Sequence, residues 1–177
     1  MCEEENMKAL IISADLFEDC ELKIPYQFLR ELGIDVDITS MKKGAIMGKH
    51  GFNVYPTITL NEVDPERYDI LILPGGKGPS LIRKDLKALE IARYFFEHNK
   101  LVAAICHGPQ ILISAGLMKG RVATGYPSIA DELKEAGAIY KDEEVVVDKN
   151  LITSRQPSDL HAFMEAIKEY LYIASKN

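Results

Sequence analysis

Ala104-Ile105-Cys106-His107-Gly108 is the segment of this chain best suited to covalent chemistry. The apolar run Leu101 to Ile105 reads as a buried strand, and a helix is expected to follow at once from His107. A small residue stands two places before the cysteine and another two places after it. This is the small-x-nucleophile-x-small spacing of a nucleophile elbow. Such a turn brings backbone against backbone, strains the central residue and projects its side chain into a cleft. The N-terminus of the following helix is expected to favour the thiolate through its free amides and dipole. An imidazolium at His107 would act in the same direction if the two side chains meet. The competing reading of Cys106 is a small buried hydrophobe.

Acyl or aldehyde chemistry at a thiol needs backbone amides for a developing oxyanion. Pro74-Gly75-Gly76 ends another apolar run, Tyr68 to Leu73, and glycine lets amides approach a substrate unobstructed. The expected donors are Gly76 and His107, with Gly75 beside them. Gly75-Gly76-Lys77-Gly78 lacks the Gly-Lys-Ser/Thr ending of a phosphate loop, so nucleotide binding is set aside. Glu18 follows the first predicted strand at the same end of the sheet. Touching a thiolate, its carboxyl would have to be protonated and donate to sulfur. Otherwise it is a solvated loop charge.

Other reactive side chains are assigned structural places. Cys20 is a helix residue and Cys2 belongs to the N-terminal tail. The three cysteines form neither a disulfide framework nor a Cys-x-x-Cys pair. His50, His98, His107 and His161 lack metal-ligand spacing on one helix face, so no metal or cofactor is expected. Asp19 reads as a helix cap, His50 as a turn or interface residue, and Arg155 as an ion-pair or interface residue. Tyr94, Phe95 and Phe96 read as core or subunit contact.

These residues need a frame. Lys8 to Ser13, Tyr68 to Leu73 and Leu101 to Ile105 are short apolar runs, while Ile34 to Thr39 alternates with period two. Residues 44 to 60 suggest a hairpin or irregular insertion. Helices are expected over Glu21 to Leu32, with a kink or break at Pro25, and over Leu86 to His98 and His107 to Ala115. Two more run from Ser128 to Ala136 and from Ser158, capped by Ser158 or Asp159, to Ala174. Val122 to Thr124 is a further short strand, and Val145 to Val147 and Leu151 to Ser154 make a pair around Asp148-Lys149-Asn150. Strands alternating with helices predict a mostly parallel sheet covered on both faces. Ligands then bind beyond the carboxyl ends of the strands. The loops Asp15 to Asp19, Pro74 to Pro79, Cys106 to Pro109 and Gly125 to Pro127 all lie there.

The chain has 177 residues, 47% of them hydrophobic and 27% charged, which suits one domain over residues 1–177 with an acidic, mobile tail at 1–6. Its net charge of −6 argues against a general nucleic-acid partner. The acidic start is unlike a secretory signal and the apolar runs are too short to span a bilayer, so no membrane partner and a cytoplasmic location are expected.

The chain resembles the ThiJ/PfpI family, and especially its PfpI-type intracellular protease branch. The matching pieces are Phe17-Glu18-Asp19, Gly48-Lys49-His50-Gly51, Leu73-Pro74-Gly75-Gly76, Ala104 to Gln110 and Thr153-Ser154-Arg155. The resemblance implies a flavodoxin-like, class I glutaminase-like three-layer sandwich. It places the family cysteine on Cys106, the histidine on His107 and the conserved acid on Glu18, with Tyr126 lining the site. It implies cysteine peptidases, or glyoxalases and deglycases acting on methylglyoxal or its protein adducts, assembled as dimers or hexamers with sites near subunit interfaces. Two positions depart from the pattern. Ser80 stands where PfpI-type proteases carry a glutamate that completes a neighbour's Cys-His-Glu triad, with Asp85 as an alternative reaching in. Tyr126 stands where glyoxalase-type relatives often carry histidine.

Three functions follow. A PfpI-like hydrolase, ranked first by the resemblance, would use Cys106 on a peptide or amide carbonyl. A glutathione-independent glyoxalase or deglycase would add Cys106 to an aldehyde and needs no intersubunit acid, so the loss of a carboxylate at Ser80 favours it. A redox sensor or stress-protective protein would need an exposed, acidic thiol.

Overall fold

The computed structural model describes residues 6–176. Apart from Asn6, the expected acidic tail lies outside the described residues, as does Cys2. Seven strands form one sheet in the order β10-β11-β7-β6-β1-β2-β5. They are β1 (Lys8–Ile12), β2 (Asp35–Ser40), β5 (Ile58–Thr59), β6 (Ile70–Leu73), β7 (Leu101–Ile105), β10 (Val145–Asp148) and β11 (Leu151–Ser154). Every neighbouring pair is parallel except β10 with β11, the expected hairpin around Lys149.

The central strands are apolar throughout because alternate residues enter different cores. Leu10 and Ile12 of β1, Leu71 and Leu73 of β6, and Val102 and Ala104 of β7 point to one side. Two helices cover that side, α3 (Leu86–Glu97) with Phe95 and α4 (Pro109–Ser114) with Ile111 and Leu112. Ala9, Ile11, Ile70, Ile72, Ala103 and Ile105 point to the other. There they meet Leu22 and Leu29 of α1 (Asp19–Glu31) and Phe163 and Ile167 of α6 (Leu160–Ser175). The three layers expected from the alternation of strands and helices are therefore present.

The insertion resolves into an antiparallel pair, β3 (Ile46–Met47) with β4 (Asn53–Val54), before the chain returns to the sheet edge as β5. A second small pair is parallel, β8 (Val122–Ala123) with β9 (Ile139–Tyr140), and α5 (Ala130–Glu135) lies between them. A short helix α2 (Gly78–Ile82), unforeseen from the sequence, follows the Pro74-Gly75-Gly76 loop.

Pro25 does not break α1, which runs through it. Proline removes one amide, so one helical bond to the carbonyl of Glu21 is lost, while the ring is buried toward the sheet. Asp19 is not the cap. It is the first residue of α1, and its carboxylate accepts from the amides of His50 and Phe52, tying the β3–β4 loop to the helix. Asp159 precedes α6 but its side chain does not cap it. The carboxylate instead pairs with Arg155, which also binds Asp142. Arg155 thus holds the end of β11 to α6, the structural place expected of it. Among the described residues no helix is long and apolar enough to cross a membrane.

Phe163 is fully buried between α6 and the sheet, whereas Leu86 is 81% exposed. Phe163→Ala is expected to cost about 3–5 kcal/mol of unfolding free energy in urea titrations. Leu86→Ala should stay within about 0.5 kcal/mol. Equal costs at the two positions would contradict this account of the core.

Candidate active site

Strands β1, β6, β7 and β11 run in the same direction, so the loops after Ile12, Leu73, Ile105 and Ser154 converge. Cys106 is the first residue beyond β7 and adopts φ +63°, a left-handed conformation that costs a non-glycine residue energy. Two backbone bonds hold it there. Its amide donates to the Ser154 carbonyl at 3.0 Å, and its own carbonyl accepts from the Tyr126 amide at 2.9 Å. The small residue two places on is required, because a Cβ at Gly108 would collide with the Leu73 carbonyl. The elbow expected from the spacing is therefore formed.

The glycine loop is packed against this turn. A Cβ at Gly75 would lie 2.6 Å from Glu21 Oε1, 2.7 Å from Cys106 Cβ and 2.9 Å from the His107 nitrogen. Only a residue without a side chain leaves room for all three. Phe17 pairs with Gly76 as a short antiparallel bridge, and the Glu18 amide donates to the Gly75 carbonyl at 3.2 Å. The loop after β1 is thereby stitched to the loop after β6. The amides of Gly76 and His107 both reach the Cys106 sulfur, which is the pair expected to hold an oxyanion.

The acid beside the sulfur is Glu21, not Glu18. Glu21 is fully buried in the first turn of α1, and Oε1 accepts from the Gly75 amide at 2.9 Å. The carboxyl is also within reach of the Cys106 thiol, and Oε2 has no hydrogen-bond partner among the described residues. Burial, which strips water from the charged form, raises its pKa to about 8. Glu18, largely covered, turns to the β3–β4 loop instead, with Oε1 3.1 Å from His50 Nε2 and Oε2 3.7 Å from Lys49 Nζ. The helix turns Glu21, three residues later, toward the sheet. A signal for this was present in the sequence: Glu21, Pro25 and Leu29 are spaced four apart on the buried face of α1. An acid on that stripe must meet something polar inside.

The expectation of a helix-favoured thiolate needs correction as well. Cys106 is only 6% exposed. Its pKa is pushed up to about 12, first by burial and second by the charge of Glu21, against the lowering effect of the two amides. Protonating Glu21 removes the second cause, so the sulfur ionises more readily beside the neutral carboxyl than beside the charged one.

His107 Nδ1 lies 3.3 Å from the sulfur, so the neighbours in sequence do meet in space. Burial first, and the charge of Lys49 second, lower the His107 pKa below its ordinary value, so the ring is neutral rather than an imidazolium. Tyr126 covers it with ring centroids 4.9 Å apart, and Ser128 Oγ stands 3.3 Å from Nε2. Neither candidate for a third member of a triad contacts it within this chain. The Ser80 hydroxyl donates to the Lys77 carbonyl at 2.6 Å, and Asp85 caps α3 by accepting from the amides of Lys87 and Ala88. Ser128 was not anticipated, since nothing in its sequence context marks it.

A model of the DJ-1/PfpI family matches residues 7–170. Deglycase PfpI of Pyrococcus furiosus is 51% identical over 165 residues, covering 93% of this chain and 99% of that protein. The Bacillus subtilis protein named "Putative cysteine protease YraA" is 45% identical over 159 residues, 89% of this chain and 94% of that one. Among solved structures, Drosophila melanogaster DJ-1beta superposes with a TM-score of 0.88 at 32% identity, covering 94% of this chain and 91% of its own. A two-domain Anabaena variabilis protein with DJ-1/ThiJ/PfpI-like and ferritin-like domains gives 0.92 at 37% identity, covering 94% of this chain and 48% of that one.

Because the folded-state pKa of Glu21 lies above its value in the unfolded chain, the fold favours the neutral carboxyl. That contribution is full below about pH 4.5 and is lost as pH rises to about 8. The stability of the native protein relative to Glu21→Gln should therefore fall between pH 5 and pH 8 and level off above. Urea unfolding of both proteins across that range measures the difference. A difference that stays constant with pH would show that Glu21 titrates normally.

Proposed function

The chain belongs to the DJ-1/PfpI family, and from that premise we propose that it is a cysteine-dependent hydrolase of the deglycase type, acting on methylglyoxal or its adducts. The observation that carries this choice is the setting of His107. Its second nitrogen meets a neutral hydroxyl at Ser128 rather than a carboxylate, while the ionisable carboxyl of the site, Glu21, sits beside the sulfur instead. A peptidase of the Cys-His-Glu type relies on a carboxylate to orient the imidazole and support its charge. An aldehyde needs a thiol, a proton acceptor and a buried acid that can change state near neutrality.

In this mechanism Cys106 Sγ adds to the aldehyde carbon and its proton passes to His107 Nδ1. The amides of Gly76 and His107 hold the oxygen of the hemithioacetal as it gains charge. Ionised Glu21 takes the proton from the former aldehyde carbon, and a proton is returned to the neighbouring carbonyl carbon as its oxygen is also protonated. The first carbon is thereby oxidised and the second reduced, leaving a lactoyl thioester on Cys106. Water then cleaves the thioester to lactate and free thiol. For a hemiaminal adduct on an amino group, Sγ displaces the amine: the C–S bond forms as the C–N bond breaks, and the Cys106 proton passes through His107 to the departing nitrogen, leaving the same hemithioacetal. Tyr126 lines the approach beside His107.

Peptide or amide hydrolysis is the second reading, supported by the elbow, the 3.3 Å Cys106–His107 contact and the name of the Bacillus relative. It shares the thioester hydrolysis but lacks a carboxylate for His107 within the chain. The redox reading has less support, because it calls for an exposed, acidic thiol and Cys106 is buried with a raised pKa. The proposal includes a cytoplasmic location and a homo-oligomer, dimer or hexamer, as the family resemblance implies.

Incubated with methylglyoxal and no glutathione, the protein should release lactate, and Cys106→Ala should reduce the rate to background. Unfolded or oxidised peptide substrates should turn over far more slowly. Peptide cleavage that depends on Cys106 without lactate formation would replace this reading by the second.

A further inference from the structure

The loop from Thr124 to Ala130 is bonded to the elbow itself, through the Tyr126 amide and the Cys106 carbonyl at 2.9 Å. Pro127–Ile129 then form a 3-10 turn, closed by the Ile129 amide on the Tyr126 carbonyl and anchored by buried Ile129. Tyr126 and Ser128 are thus fixed relative to Cys106 by the same few bonds. One packs against the face of His107, and the other meets its Nε2. We propose that Ser128 is a positioning residue that accepts a hydrogen bond from His107 Nε2–H and thereby leaves Nδ1 bare toward the sulfur.

The consequence follows from proton bookkeeping. A neutral imidazole carries one proton, and a nitrogen holding it cannot also accept one. With the proton pinned on Nε2 by the Ser128 oxygen, Nδ1 can take the Cys106 proton. The resulting imidazolium keeps the same bond to Ser128, so the ring need not turn during transfer. The alternative tautomer would present N–H to the thiol and block that step. A carboxylate in this place would also hold the tautomer, but it would stabilise the imidazolium and raise the ring's basicity. A hydroxyl fixes direction without charge. Other charged groups facing His107 are Lys49, from the β3–β4 hairpin, and Glu132, from α5. Glu132 is engaged by Arg83 at 3.0 and 3.2 Å and by Gln110 at 3.3 Å, so it acts on the ring only at a distance.

This inference rests on the proposed use of His107 as the base, and its test has a readout that needs no substrate. Protein labelled with 15N histidine reports which ring nitrogen carries the proton, with His107 assigned by its absence from His107→Ala. The native ring should show the Nε2–H tautomer. Ser128→Ala should mix the two tautomers and lower kcat for lactate formation about three- to tenfold with KM held, the effect of losing one hydrogen bond. Ser128→Thr should restore both. Ser128→Asp should move the His107 titration to higher pH. A native ring protonated on Nδ1, or an unchanged His107 spectrum in Ser128→Ala, would overturn the proposal. Should the tautomer behave as stated while no lactate forms, Ser128 keeps its role and the assigned reaction fails.

Discussion

Four chain segments can meet at Cys106 only because the parallel strands end along one edge and the cysteine accepts a left-handed backbone there. That conformation costs energy for any residue with a side chain. It persists because β11 takes its amide, the Tyr126 loop takes its carbonyl, and glycine leaves room on both sides. The sulfur then stands where α1 delivers a carboxyl, the loop after β6 and the elbow itself deliver one amide each, and the Tyr126 loop steers the imidazole. Remove the strained turn and each of these groups would face a different atom.

The site's electrostatics are decided by burial more than by the helix. A helix terminus contributes roughly 0.3–1 kcal/mol to a nearby charge, and α4 has only six residues. Burial is the largest cause raising both Glu21 and Cys106, and it outweighs the amides that favour their charged forms. The result is a closed thiol–carboxyl pair beside a neutral imidazole. Such a pair calls for a partner that can take up its charge. An aldehyde carbon flanked by two amide donors fits that need, since the charge leaves sulfur and is received by oxygen.

Much of this was legible in the sequence. Apolar runs four to six residues long, separated by helical segments, fix a parallel sheet because each strand must bury both faces. The spacing of small residues around Cys106 carries the elbow, and the double glycine carries the amide loop. The acid was misplaced by three residues because proximity to the strand end favours Glu18. Orientation on α1 decides the matter, and it turns Glu21 inward with Pro25 and Leu29. Asp19 and Asp85 exchanged expected parts for a similar reason: a carboxylate at a loop–helix junction goes to whichever bare amides the tertiary structure brings near. Asp19 found those of the hairpin, and Asp85 found those of its own helix. Ser128 was invisible, since an ordinary serine gains meaning only from the ring 3.3 Å away.

The account depends most on the link between the Glu21 carboxyl and the Cys106 sulfur. The rate of alkylation at Cys106, followed by peptide mass spectrometry from pH 5 to 10, tests it without reference to any substrate. Glu21→Gln removes the repelling charge, so its Cys106 should begin to react at lower pH than the native thiol. Superimposable profiles for the two proteins would mean that carboxyl and sulfur ignore one another, and would contradict the account.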